Sequence, residues 1–260
     1  MIQHTYSDLF EWFTEFFIVA THSILYLRKI YPRDSFRAVR QYGIAVHQSR
    51  HPKVCEYIEH MARSCMEFVK RGVVEKVSLV VLSASEYPLE RFAFDLRDFP
   101  ELSAKLSATT VDEDDGGVTY QEVCSQYRAC LSTLTSLNDS FGELPPDCTF
   151  SIIMETKDDE SNACEVDPES IWIAGDGQKY HQDASSSSFN QSRPSIRLLP
   201  VRYVESGPFS FNLFLEEDKQ KRKLKSVKGT SSHGSRRLDD TVVEADPGAM
   251  YKTTNDFEEL

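Results

Sequence analysis

Residues 7–31 read SDLFEWFTEFFIVATHSILYLRKIY. Leu9, Phe10, Trp12, Phe13, Phe16, Phe17, Val19, Ile24, Leu25, Leu27 and Ile30 cover far more than one stripe, as in a helix that protein surrounds on most sides. Asp8, Glu11, Glu15 and His22 interrupt the run, so it stays short of the roughly 18 consecutive apolar residues of a membrane span. The reading is a helix at the centre of a domain, started by Ser7 and Asp8 and stopped before Pro32. His22, on an otherwise apolar face, reads as a hydrogen-bonded core histidine rather than a catalytic one.

Outward from this helix, FRAVRQYGIAVHQ (36–48) predicts a short hairpin turning at Gly43. HPKVCEYIEHMARSCMEFVKRG (51–72) predicts a second helix, with Pro52 in its first turn and Gly72 past its end. Two strands follow, VEKVSLVVLS (74–83) and LERFAFDL (89–96), around a turn at 85–88. Residues 97–117, with the acidic run DEDDGG, read as a solvated loop, and 118–141 as a third helix. CTFSIIMET (148–156) reads as a buried strand.

From residue 157 the chain is polar apart from the island IWIAG (171–175), and the Ser/Gln/Asp-rich stretch at about 177–195 is too polar to fold by itself. A late hairpin, SIRLLPVRYV (195–204) and PFSFNLFLEE (208–217), then returns to the core. Three helices around a sheet of non-consecutive strands is an α+β arrangement. The predicted organisation is a folded body over 1–218 and a disordered tail over 219–260.

The 260 residues carry 29 basic and 41 acidic side chains, a net charge of -12. The body holds 20 basic against 34 acidic, whereas the tail holds 9 against 7 and is wholly basic at first. A body of that sign is expected to repel nucleic acid, although a local basic patch stays open. The tail's KQKRKLK (219–225) reads as a nuclear localisation signal, with direct DNA binding as the alternative.

Cys55, Cys65, Cys124, Cys130, Cys148 and Cys164 form no CxxC pair, so reduced thiols are expected in a chain that lacks a secretory layout and stays inside the cell. His47, His51 and Cys55 have ligand-like spacing, but Pro52 breaks the helix that would align them, and no metal or cofactor is expected. There is no GxSxG, GxxxxGK[ST], GxGxxG or HExxH motif, and the expectation is a protein without catalysis. Tyr57, at helical spacing with Ile58 and Met61, reads from pattern alone as core. Trp172 either anchors a segment on its own domain or covers a bound partner.

Six segments in this order, HSILYLRKIYP (22–32), HPKVCEYI (51–58), VEKVSLVVLSASEYPLERFAFDL (74–96), PPDCTFSI (145–152), IWIAGD (171–176) and RLLPVRYV (197–204), resemble the HORMA-domain family. The likeness is strongest to its Mad-two-like B branch, the accessory subunits of translesion DNA polymerase zeta, and covers residues 8–217. It implies a mainly antiparallel mixed sheet with three helices and a C-terminal safety belt, about 157–218, that wraps an extended partner peptide. It also implies peptide contacts by Tyr57 and Trp172 to the polymerase catalytic subunit. Leu198, Asn212 and Phe214 match the surface for the C-terminal domain of the Rev-one scaffold polymerase, and Arg128 matches a position of HORMA dimerisation. Asn212 and Phe214 depart from the vertebrate pattern of glutamine and tyrosine. The function expected is an adaptor in nuclear translesion synthesis; a spindle-checkpoint or meiotic HORMA protein is the alternative.

Overall fold

A computed structural model of the chain describes residues 4–99, 101–102, 109, 111, 119–157, 172, 196–219 and 221. The acidic run at 112–117, Cys164, the serine-rich stretch and the tail beyond Lys221 lie outside the described residues, so the readings made of them have no structural counterpart here.

Helix α1 spans Tyr6–Leu27. Its start lies two residues earlier than Ser7 and Asp8 suggested: Thr5 is the N-cap, and Asp8 answers it in a capping box that satisfies two end donors. It ends before Pro32 is reached, because Lys29 turns left-handed (φ 54°) and Arg28 is drawn to an internal carboxylate. Strands β1 (Phe36–Gln41) and β2 (Ile44–Ser49) pair as a separate two-stranded ribbon. Its turn places Tyr42 and Gly43 at φ 50° and 78°, in the left-handed region that Gly43, unlike Tyr42, adopts without strain. Helix α2 spans Pro52–Lys70 with His51 as N-cap, and Gly72 (φ 73°) follows its end.

Strands β3 (Val74–Leu82) and β4 (Pro88–Asp95), helix α3 (Tyr120–Leu137), strand β5 (Thr149–Thr156) and the hairpin β6 (Ile196–Ser206) and β7 (Phe209–Asp218) complete the body. The five-stranded sheet runs β5-β3-β4-β7-β6, and each of its pairings is antiparallel. The late hairpin therefore docks on β4, through Phe92 opposite Leu215 and Phe94 opposite Leu213. Phe209, Phe211, Leu213 and Leu215 alternate inward as the period of two requires. Against them stands α1, whose Phe10, Phe13, Phe16 and Phe17 are fully buried. Phe10–Phe209, Phe13–Phe211 and Phe17–Phe94 approach edge-on with centroids 4.8, 5.1 and 5.0 Å apart.

The structure differs from the sequence reading at β5. That strand was expected to be buried, yet of its eight residues Ile152 alone is buried. It is the outermost strand of the sheet, and an apolar run does not reveal whether its second edge is paired.

Candidate functional site

β5 pairs with β3 along one edge, and its other edge has no strand beside it among the described residues. Such an edge presents a row of backbone donors and acceptors ready for an added strand. Aromatic groups crowd it. Phe150 of β5 meets the Tyr57 ring edge-on at 5.6 Å and the Tyr31 ring at 6.3 Å. Tyr57 is half-buried and packs against the margin of the core.

Tyr57, Ser64 and Phe68 follow one another at seven and four residues on α2, a spacing that puts them on one face. Trp172 reaches that face: its indole N–H donates to Ser64 Oγ at 2.9 Å, and its ring stands edge-on to Phe68 with centroids 6.5 Å apart. The two sequence-predicted peptide residues thus meet the same helix about two turns apart, roughly 10 Å at 1.5 Å per residue. Ser64 and Phe68 were not singled out from sequence; their helical spacing from Tyr57 was the available signal.

The second residue set also assembles. On the opposite edge of the sheet, Pro200 lies opposite Phe214, Leu198 opposite Glu216, and Tyr203 opposite Asn212. The register slips between Pro200 and Arg202, leaving Val201 as an extra, inward residue. Because of that bulge Leu198, Pro200 and Tyr203 all stay outward, with Leu198 61% and Tyr203 53% exposed. Pro200 lacks a donor, which an edge strand tolerates. Tyr203 went unnoticed in the sequence, because simple alternation breaks at the bulge.

Arg128 is exposed on α3, and its guanidinium lies 3.8 Å from where a side chain at Gly43 would begin, over the tip of the β1–β2 ribbon. His22 is buried, and its Nδ1 accepts from the Ser49 N–H at 3.5 Å; burial pushes the imidazole down to about 4, so it is neutral near pH 7. His47, His51 and Cys55 fall on β2, the α2 N-cap and α2 itself. His47 stacks on Tyr26 with centroids 3.5 Å apart, and Cys55 donates to the Ser49 carbonyl at 3.2 Å. Burial pushes the Cys55 thiol up, the opposite of what a nucleophile or metal ligand needs.

A model of the HORMA domain matches residues 11–169, more than half of the chain. The chain belongs to the HORMA-domain family. Among relatives of this HORMA protein, the DNA polymerase zeta processivity subunit of Schizosaccharomyces pombe is 34% identical over 150 residues, covering 56% of this chain and 68% of the relative. The mitotic spindle assembly checkpoint protein MAD2B of Danio rerio is 27% identical over 210 residues, covering 80% and 90%. A solved chain of the mitotic checkpoint complex superposes with a TM-score of 0.59 at 21% identity, covering 82% of this chain and 98% of its own. The C. elegans protein HTP-1 bound to a HIM-3 closure motif gives 0.54 at 17% identity, covering 82% and 92%. At these identities the two structures speak for the fold alone.

Proposed function

We propose that this HORMA protein is a non-catalytic adaptor of DNA polymerase zeta. It clamps an extended, proline-containing peptide of the catalytic subunit along the free edge of β5, under the belt segment that carries Trp172. The edge of β5 that has no partner strand among the described residues, with Tyr57 against Phe150 and Trp172 on the same face of α2, is the observation that carries this reading. Main-chain pairing with β5 supplies affinity, and the aromatic groups of α2 and β5 select the side chains. Closing the chain over the ligand slows dissociation more than association. The name of the fission-yeast relative supports the choice of polymerase.

The outward face of β6 and β7, with Leu198, Asn212 and Phe214, is proposed to receive the C-terminal domain of the Rev-one scaffold polymerase. Arg128 is proposed as a dimerisation contact. The basic start of the tail is proposed to direct the protein to the nucleus; within KQKRKLK, Lys221 is 1% exposed, so its charge belongs to the body.

The test is a folded Tyr57→Ala, Trp172→Ala double variant, expected to lose capture of the catalytic-subunit peptide. Unchanged affinity would sink the proposal. The checkpoint name of the vertebrate relatives favours a second reading, in which the same edge holds a checkpoint or meiotic partner. Purification from native cells separates the two by the chain that co-purifies.

A further inference from the structure

Glu90 of β4 and Glu217 of β7 stand directly opposite each other in the pairing that docks the late hairpin on the sheet. Both are buried. Like charges facing each other across two strands oppose the pairing, and burial strengthens the repulsion because little water is left to screen it. The period of two explains why they point inward: Glu90 lies two residues before Phe92 and Glu217 two residues after Leu215, on the face that α1 covers.

The charge that reconciles them comes from outside both strands. Lys221, at the root of the tail, is buried, and its ammonium forms ion pairs with Glu90 and Glu217 together. Arg28 neutralises Glu90 from the end of α1, and Arg197 reaches Glu217 at 3.6 Å from the exposed side of β6. Among the described residues, Lys221 is the cation that bridges the two carboxylates.

Gly142 makes room for it. A side chain there would begin 2.7 Å from Lys221 Cε and 2.8 Å from Glu217 Oε1, closer than packed atoms approach. The glycines with left-handed backbone are Gly43, Gly72 and Gly207, so at Gly142 the missing side chain serves space and not the turn of the chain. Its N–H donates to Glu217 and its carbonyl accepts from Arg28, which fixes the loop against the lysine stem.

We propose that Lys221 is a removable bolt for the β6–β7 hairpin. Seated, it turns the Glu90–Glu217 contact from repulsive to attractive and holds β7 on β4. Withdrawn, it leaves two facing carboxylates with one buried cation between them, and the hairpin undocks. Lys221 follows closely on the end of β7 at Asp218, and the next cations in the chain are Arg222, Lys223 and Lys225, so a partner that grips this basic run pulls on the bolt. The chain that leaves β5 ends in this hairpin, and undocking frees the far end of the belt; that consequence alone rests on the adaptor reading.

Hydrogen exchange of the full chain, without peptide, tests the bolt. Lys221→Met keeps the stem and drops the charge, whereas Gly142→Ala keeps every charge and fills the seat. Each is expected to speed exchange in β6 and β7 by about tenfold or more, with the amides of α1 and β3 at wild-type rates. Adding Glu217→Gln to Lys221→Met removes one of the two facing charges and should return exchange to within about threefold of wild type. Wild-type exchange in Lys221→Met overturns the proposal. Equal acceleration in α1 and β3 does so too, because Lys221 would then support the whole fold, as does a failure of Glu217→Gln to restore protection. In a separate assay, Lys221→Met should release a bound catalytic-subunit peptide faster than the wild type. Failure of the wild type to capture that peptide would sink the adaptor reading and leave the bolt standing, so the two failures are distinguishable.

Discussion

Arg28 grips Glu90 with two parallel hydrogen bonds, Nε to Oε2 at 2.8 Å and Nη2 to Oε1 at 2.7 Å, both partners buried. The same Nη2 donates to the Gly142 carbonyl at 2.6 Å, and the Gly142 N–H donates to Glu217 at 2.8 Å. Lys221 closes the circuit with ion pairs to both Glu90 and Glu217. The end of α1, the middle strand β4, the loop after α3 and the end of β7 are thereby joined through one buried cluster. Replacing Glu90 by Ala leaves two buried cations without their shared carboxylate and is expected to cost about 3–5 kcal/mol. Urea unfolding measures it, and a loss below about 1 kcal/mol would show the cluster to be incidental.

The same cluster sets an acid limit on the late hairpin. Burial by itself would raise the Glu217 carboxyl, but the hydrogen bonds from Lys221 and the Gly142 N–H, with the charges of Lys221 and Arg197, outweigh it and hold the group below its ordinary 4.5. A depressed carboxyl stabilises the fold above its unfolded value, and that contribution is lost as pH falls below about 4.5 and through the folded value. Glu217→Gln is expected to flatten this acid limb, as read from unfolding midpoints between pH 5 and pH 3.

His22 predicts a second pH dependence, at higher pH. The unfolded imidazole takes up a proton near its ordinary 6.5, while the buried one resists until about 4. Stability is full above 6.5, declines as pH falls through this window by roughly 3 kcal/mol, and levels off for this group below about 4. His22→Gln should remove that part of the slope. An NMR titration in which His22 protonates at pH 6 or above would refute the assignment.

Ser64 holds Trp172 by one neutral hydrogen bond, which is typically worth about 1 kcal/mol. Ser64→Ala should therefore speed peptide release by about fivefold with little change in association, measured by surface-bound peptide kinetics. Trp172→Phe, which keeps a ring and loses the N–H, should behave similarly.

Leu198 is exposed on an edge strand, so Leu198→Ala should alter stability by less than about 0.5 kcal/mol. Binding to the scaffold-polymerase domain is expected to fall at least tenfold in calorimetry. Equal losses of stability and binding would mean that the residue serves the fold.

The helices and most strands were legible because their signals are local. Phe10, Phe13, Phe16 and Phe17 announce a buried helix, and Phe209 to Leu215 announce a half-buried strand, each through its own period. The end of α1 was misjudged because Arg28 answers to Glu90, 62 positions away, rather than to Pro32. Tyr57 and Trp172 were picked out by family resemblance; their periodicity favoured the core for one and left the other undecided. Lys221 read as the start of a solvated tail, since nothing near it in the chain reveals Glu90, 131 positions away.

By itself, then, the sequence determined which segments become helices and strands and which side of each turns inward, because hydrophobic periodicity is written within a few turns of chain. The tertiary structure decided that β5 has no second partner strand among the described residues, that Trp172 meets the Tyr57 face of α2, and that Arg28 and Lys221 close on Glu90. Strand order and the pairing of buried charges depend on contacts far apart in the chain, 62 positions for Arg28 and Glu90 and 131 for Lys221 and Glu90, which no local period records.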